Sequence, residues 1–201
     1  MFILLCGYNG SGKKTCADYF HSKYSFNRFT ILKYLKDMLF TVFNFGSGHF
    51  ETGVIDLVDP VWKISPSDAM EYVGTGITKY EKRKYFANIR QDLWFSMMNK
   101  DITENVPVSQ HIVISDLRFV HEYAYIRRAF PNEAIHVVKV LRSSIPLQNM
   151  VTTKSECEHT KLSYNYIIPN NGNIEDLHKS IDKLIERVSL TTTCDFMYVL
   201  D

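Results

Sequence analysis

Gly7 to Lys13 reads Gly-Tyr-Asn-Gly-Ser-Gly-Lys, the GxxxxGK spacing of a phosphate-binding loop. Its glycines let the backbone curl so that successive N–H groups point inward at an anion. A helix starting at the end of the loop adds its positive dipole end, and Lys13 brings a mobile cation to the outer phosphates. Gly7, Asn9, Gly10, Ser11, Gly12, Lys13, Lys14 and Thr15 are therefore the candidate phosphate-binding residues. Such loops usually carry Ser or Thr directly after the lysine, to bind Mg2+. Here Lys14 holds that place and Thr15 follows it. Thr15 is the candidate for the phosphate and metal side, through a water, and Lys14 reads as a solvated first-turn residue.

A second group of chemistry-bearing residues stands at the ends of apolar runs. His111-Ile112-Val113-Ile114-Ser115-Asp116 carries β-branched residues up to an acid that can hold Mg2+ directly or through water. The alternative role for Asp116 is to cap the next helix. Arg118 lies two residues on, and Arg142 follows Lys139-Val140-Leu141 in the same way. Phosphoryl transfer needs little covalent help but much positive charge around a loose transition state, where a well-placed arginine is worth about three to five orders of magnitude in rate. Lys13, Asp116, Arg118 and Arg142 are the candidate catalytic residues, with Thr15 and Asp116 on the metal. Glu122 has the i,i+4 spacing for an ion pair with Arg118.

The elements that must position these residues follow from the apolar pattern. Phe2 to Cys6 is a short buried-type strand running into the loop, and Lys13 to Tyr24 reads as a helix. Phe26 to Ile31 is a short strand, and Ile31 to Phe45 has helical spacing closed by Gly46 and Gly48. Phe50 to Trp62 reads as an irregular segment. Ser65 caps a helix with Pro66 in its first turn, running to Val73 and stopping at Gly74. Further helices are expected at Tyr80 to Lys100, Phe119 to Phe130 and Ile174 to Val188, and strands at Ala134 to Leu141 and Tyr164 to Ile168. Asn170-Asn171-Gly172 is a turn, and the tail from Ser189 to Asp201 is β-prone. Strands alternating with helices predict a mostly parallel sheet flanked by helices on both faces. Ligands of such sheets bind at the carboxyl ends of strands, which places Gly7 to Thr15, Asp116 and Arg142 along one edge.

A chain of 201 residues suits one domain, and 45% hydrophobic with 13% aromatic residues fills its core. A net charge of +1 gives no broad attraction to a nucleic acid polymer or a membrane, so any anion site is local. No apolar run approaches the length of a membrane span or a signal-peptide core. Cys6, Cys16, Cys157 and Cys194 show no paired spacing, which reads as reduced thiols in a cytoplasmic protein. Cys157-Glu158-His159 supplies too few ligands for zinc.

The pieces carry a resemblance. The order GKxT resembles nucleoside monophosphate kinases, and GSGKKTCADYF is similar to the opening of phage-type deoxynucleoside monophosphate kinases, of the P-loop kinase superfamily. Further segments resemble that family's motifs in the family's order: Tyr34 to Leu39, Ser65 to Thr75, Asp92 to Trp94, Ser115 to Glu122, Ser155 to Thr160 and Asn170 to Leu177. Ser67 stands where the family pattern has arginine, Glu71 where it has glutamine, and Lys14 where it has an acid. The resemblance implies an α/β P-loop kinase fold over residues 1–188, with a helical acceptor-binding insertion at about 46–105, a lid at about 143–162 and a tail at 189–201. It implies ATP, Mg2+ and a nucleoside monophosphate acceptor, with transfer of the γ-phosphoryl group to give the diphosphate. It places Lys13 and Thr15 at the ATP phosphates, and Asp116 with Arg118 near the transferring group. Lys36, Arg90 and Trp94 become acceptor-side candidates, with a solvated helix face the alternative for Lys36 and the core of an amphipathic helix the alternative for Trp94, and Arg142 a cation at the lid hinge.

Two other readings share the loop. Animal phosphomevalonate kinases also combine a GKxx loop with a strand ending Ser-Asp followed by Arg, although the aromatic acceptor segments favour a base. A nucleotide-binding protein that has lost catalysis is the other, with Ser67 as its support. A homodimer is left open, because Thr191 to Leu200 could pair with a partner strand or with the chain's own sheet edge.

Overall fold

The computed structural model describes residues 1–51, 53–76, 93–145 and 159–197, the side chains of 75, 76 and 190–197 excepted. The chain divides into two compact units, one made of Met1–Phe29 with Pro107–Asp201 and the other of Thr30–Val106.

The first unit is built on β1 (Phe2–Cys6), whose five residues are all buried. A run apolar on both faces suits a central strand of a parallel sheet covered on both sides. With β2 (Asn27–Phe29), β3 (Ile112–Ile114), β4 (Ile135–Leu141) and β5 (Tyr166–Pro169) it forms one sheet in the order β2-β3-β1-β4-β5. Every pairing is parallel. Successive side chains alternate between faces. Ile3 and Leu5 join a cluster with Phe20 of α1 (Lys13–Tyr24) and with Leu177, Ile181 and Leu184 of the C-terminal helix. Phe2 points the other way, its ring 4.6 Å from that of Phe130. The architecture is thus the expected α/β arrangement, a parallel sheet flanked by helices on both faces.

The second unit is helical. It holds α2 (Ile31–Phe43), a short 3-10 turn at Ser47–Phe50, α3 (Pro66–Gly76) and α4 (Leu93–Asn105). The first unit adds α5 (Val120–Ala129) and α6 (Ile174–Met197). Tyr34 of α2 donates to Asp101 of α4 at 2.8 Å. Desolvation, and then that bond, push the Tyr34 phenol well above its ordinary pKa.

Several boundaries differ from expectation, and α4 runs on to Asn105 past the expected Lys100. Asn44, at φ 58°, ends α2 in place of the glycines, since asparagine tolerates the left-handed conformation well enough to form a C-cap. Gly74 lies inside α3 and does not stop it. A Cβ there would sit 3.0 Å from Leu35 Cδ2, so the glycine lets α3 approach α2. The tail is helical through Met197, because extending a helix already held by packing outweighs the weak helix propensity of Thr191 to Thr193. Residues 198–201, 146–158 of the expected lid, and 77–92 of the expected Tyr80 to Lys100 helix lie outside the described residues, as does Arg90.

Candidate active site at the carboxyl edge of the sheet

The loop leaves β1 at Gly7 and turns through three glycines at positive φ: Gly7 at 138°, Gly10 at 76° and Gly12 at 101°. Two of them are also pressed against neighbours. A Cβ on Gly7 would lie 2.5 Å from the Val140 carbonyl oxygen, and one on Gly12 would lie 2.4 Å from Asn170 Nδ2. Gly12 is the N-cap of α1, and no side chain caps that end. First-turn amides without a side-chain cap, at the positive end of the helix dipole, suit an anion. Lys13 lies back along the loop, donating from Nζ to the carbonyl oxygens of Gly7 and Tyr8 at 2.8 Å each. Ser11 is 1% exposed, and its Oγ finds no hydrogen-bond partner among the described residues.

A cavity of about 560 Å³ opens on this loop. Asn9, Gly10, Gly12, Lys13, Lys14 and Thr15 line one side. Ser115, after β3, and Arg142, after β4, contribute at the strand ends, and Asn170, Gly172 and Asn173 complete the wall beyond β5. Ile174 and Leu177 supply an apolar patch. All these residues belong to the first unit. The loop, Thr15 and Arg142 therefore line the same cavity. Gly7 and Ser11 shape the loop from behind.

Asp116 is 9% exposed just past β3, and at this strand end Ser115 is the residue that lines the cavity. Arg118 is half-buried two residues on. Glu122 does something other than the expected i,i+4 pairing. Its Oε2 accepts the backbone N–H groups of Arg118 at 2.6 Å and Phe119 at 2.9 Å, the N3 half of a capping box at the start of α5. Desolvation of this carboxyl, 6% exposed, raises its pKa to about 8 against the pull of those two amides. The nearby charge of Asp116 raises it further, and that of Arg118 lowers it.

Cys6 and Cys16, under the loop, are buried free thiols, and desolvation pushes them up to about 11 and about 12. They are packing groups at neutral pH. The acceptor-side candidates fall in the second unit. Lys36 is half-buried with Nζ 4.7 Å from the Phe50 ring centroid, and Trp94 is 7% exposed inside the unit. Ser67 is held at the start of α3, its hydroxyl 3.0 Å from that of the N-cap Ser65.

Asn170, Gly172 and Asn173 were not singled out from the sequence as site residues. The signal was present: the rule that placed Asp116 and Arg142 at strand ends also selects the residue that follows β5.

A phosphate loop opening onto a cavity at the carboxyl edge of a five-stranded parallel sheet is the arrangement of a nucleotide-binding P-loop protein. Dephospho-CoA kinase from Campylobacter jejuni is similar in structure, with a TM-score of 0.52 and 14% identity over 95% of this chain and 98% of that one. A protein from Thermus thermophilus described as TT1252 is similar at a TM-score of 0.50 and 12% identity, over 93% of this chain and 97% of that one. These likenesses show the fold. No curated protein sequence matches the chain. A family profile described as deoxynucleotide monophosphate kinase matches residues 70–181, more than half of the chain, and the protein belongs to that family. It is a kinase of the nucleotide-binding P-loop class. Among the described residues, no helix is long and apolar enough to cross a membrane.

Proposed function

We propose that the protein transfers the γ-phosphoryl group of ATP, with Mg2+, to a (deoxy)nucleoside monophosphate, giving the diphosphate. The observation that carries this reading is that the loop, Thr15 and Arg142 line one and the same cavity. The residues there fit a triphosphate. The glycine turns leave backbone where a Cβ would collide, α1 begins without a side-chain cap, and Lys13 can leave two loop carbonyls for stronger acceptors. They also fit Mg2+, which takes few protein ligands and completes its shell with waters and substrate phosphates. Thr15 on the cavity, and Asp116 acting through water from just past β3, would hold it, and when bound it neutralises charge on the phosphate oxygens.

In this reading Lys13 binds the outer phosphates and Arg142 and Arg118 stabilise the charge of the transferring group. Glu122 holds the main chain of Arg118 in place, and Asn170 and Asn173 face the nucleotide. Lys36 and Arg90 are the cations for the acceptor's monophosphate. Trp94, 7% exposed, is the aromatic assigned to its base. The test is Lys13→Ala, measured for ATP affinity and for acceptor-dependent ADP release. A turnover loss of about two orders of magnitude or more in folded protein is expected. Retained turnover in that variant would overturn the assignment.

A further inference from the structure

We propose that Asn170 and Asn171 are positioning residues that clamp the main chain on both sides of Arg142 and join it to the phosphate loop. The arginine and the loop then present one anion-binding surface. This rests on the reading above that the cavity takes a triphosphate.

Arg142 needs such a device. It is exposed, it lies one residue beyond β4, and its Nε donates to Ser144 Oγ at 3.1 Å, a neighbour in its own turn. The ladder between β4 and β5 reaches its last pair at Leu141 and Pro169. Strand pairing alone would leave the arginine on an untethered end. Asn170 and Asn171 extend the pairing past that point. The Asn170 N–H donates to the Leu141 carbonyl oxygen at 2.7 Å, immediately before Arg142. Asn171 Oδ1 accepts the Ser143 N–H at 2.7 Å, immediately after it. A side-chain amide here takes the place of a strand carbonyl.

The same dipeptide reaches the loop. Asn170 Nδ2 donates to the Ser11 carbonyl oxygen at 2.8 Å, and only the lack of a side chain at Gly12 leaves it room. The two asparagines use opposite ends of the amide. Asn170 needs its N–H donor and Asn171 its oxygen acceptor.

The test is a double-mutant cycle read in equilibrium ATP binding, with inorganic tripolyphosphate as a base-free probe. Asn171→Ala removes one acceptor from an exposed turn, so the thermal midpoint stays near that of wild type. Affinity for both probes should fall about tenfold, close to the loss in Arg142→Ala. The double variant should bind no more weakly than Arg142→Ala alone, because Asn171 acts through the arginine. A purely structural role would instead make the two losses multiply. Asn170→Ala should weaken binding with or without Arg142, because it frees the loop itself. Wild-type affinity in Asn171→Ala, multiplying losses in the cycle, or wild-type affinity in Asn170→Ala would overturn the proposal while the nucleotide reading stands. Failure of the wild-type protein to bind either probe would overturn both.

Discussion

Glu122 allows the account of the β3 end to be tested without any ligand. Burial raises its pKa from the ordinary 4.5 to about 8, so the fold favours the neutral acid. The sign follows from linkage. Below pH 4.5 both states carry the proton and the contribution is fully present. As pH rises toward about 8 the unfolded chain is ionised while the folded one stays protonated, and stability is lost by about 1.4 kcal/mol per pH unit. Between pH 5.5 and 7.5 this amounts to roughly 2 to 3 kcal/mol. Glu122→Gln keeps an oxygen for the Arg118 and Phe119 amides and cannot ionise, so it lacks this term. Urea unfolding of both proteins at the two pH values, at constant ionic strength, isolates it. Titration of every other group is common to the pair and cancels. The variant should gain on wild type by roughly 2 to 3 kcal/mol from the lower to the higher pH. A stability difference that stays constant with pH would refute a buried, neutral Glu122.

Gly7→Ala and Gly10→Ala should separate steric contact from backbone strain. Both glycines have positive φ, but a Cβ on Gly7 meets the Val140 carbonyl oxygen at 2.5 Å while one on Gly10 meets nothing within 4 Å. Gly7→Ala is expected to cost roughly 2 to 4 kcal/mol and Gly10→Ala about 1 to 2 kcal/mol in chemical unfolding, and the reverse order would contradict the loop geometry. Asp182 joins α6 to α1 by accepting from Tyr24 at 2.7 Å, Tyr19 at 3.0 Å and Lys23 at 2.8 Å. Asp182→Ala should lower the thermal midpoint by about 2 to 5 °C. Against the opposing effect of desolvation, these partners hold the Asp182 carboxyl below its usual range, so that difference should be present at neutral pH and shrink as acidification protonates the carboxyl in the folded state. Lys13→Ala should leave the thermal midpoint within about 2 °C of wild type, since solvent can replace its bonds to two loop carbonyls. A larger fall would assign Lys13 a part in holding the empty loop together.

The part of this molecule legible in the sequence is the part encoded locally. Phe2 to Cys6 runs apolar into a glycine loop, so strand, turn and helix can be read from neighbours in the chain, and the cavity falls on that loop. Ser65 with Pro66 marked the start of α3 for the same reason, and the structure places Ser65 Oγ 3.1 Å from the Asp68 N–H. What escaped depends on partners distant in sequence. Asn170 reads as a turn residue until β5 is laid beside β4 and brings its amide 2.8 Å from the Ser11 carbonyl. Gly74 reads as a stop until Leu35 is packed against it. Glu122 has the right spacing for a pair with Arg118, but burial turns its carboxyl toward backbone amides. The absence of arginine at Ser67 was visible at once, and the structure adds that this serine sits in the cap of α3.

The central claim is phosphoryl transfer to a nucleoside monophosphate at the cavity of the phosphate loop. Its most direct test is ADP release from ATP and Mg2+ with each ribo- and deoxyribonucleoside monophosphate offered singly, and with phosphomevalonate as a base-free acceptor. The account predicts strong, acceptor-dependent release with one or a few nucleotides, abolished in Lys13→Ala. Silence with every nucleotide, in protein that still binds ATP, would contradict it, as would release with phosphomevalonate alone.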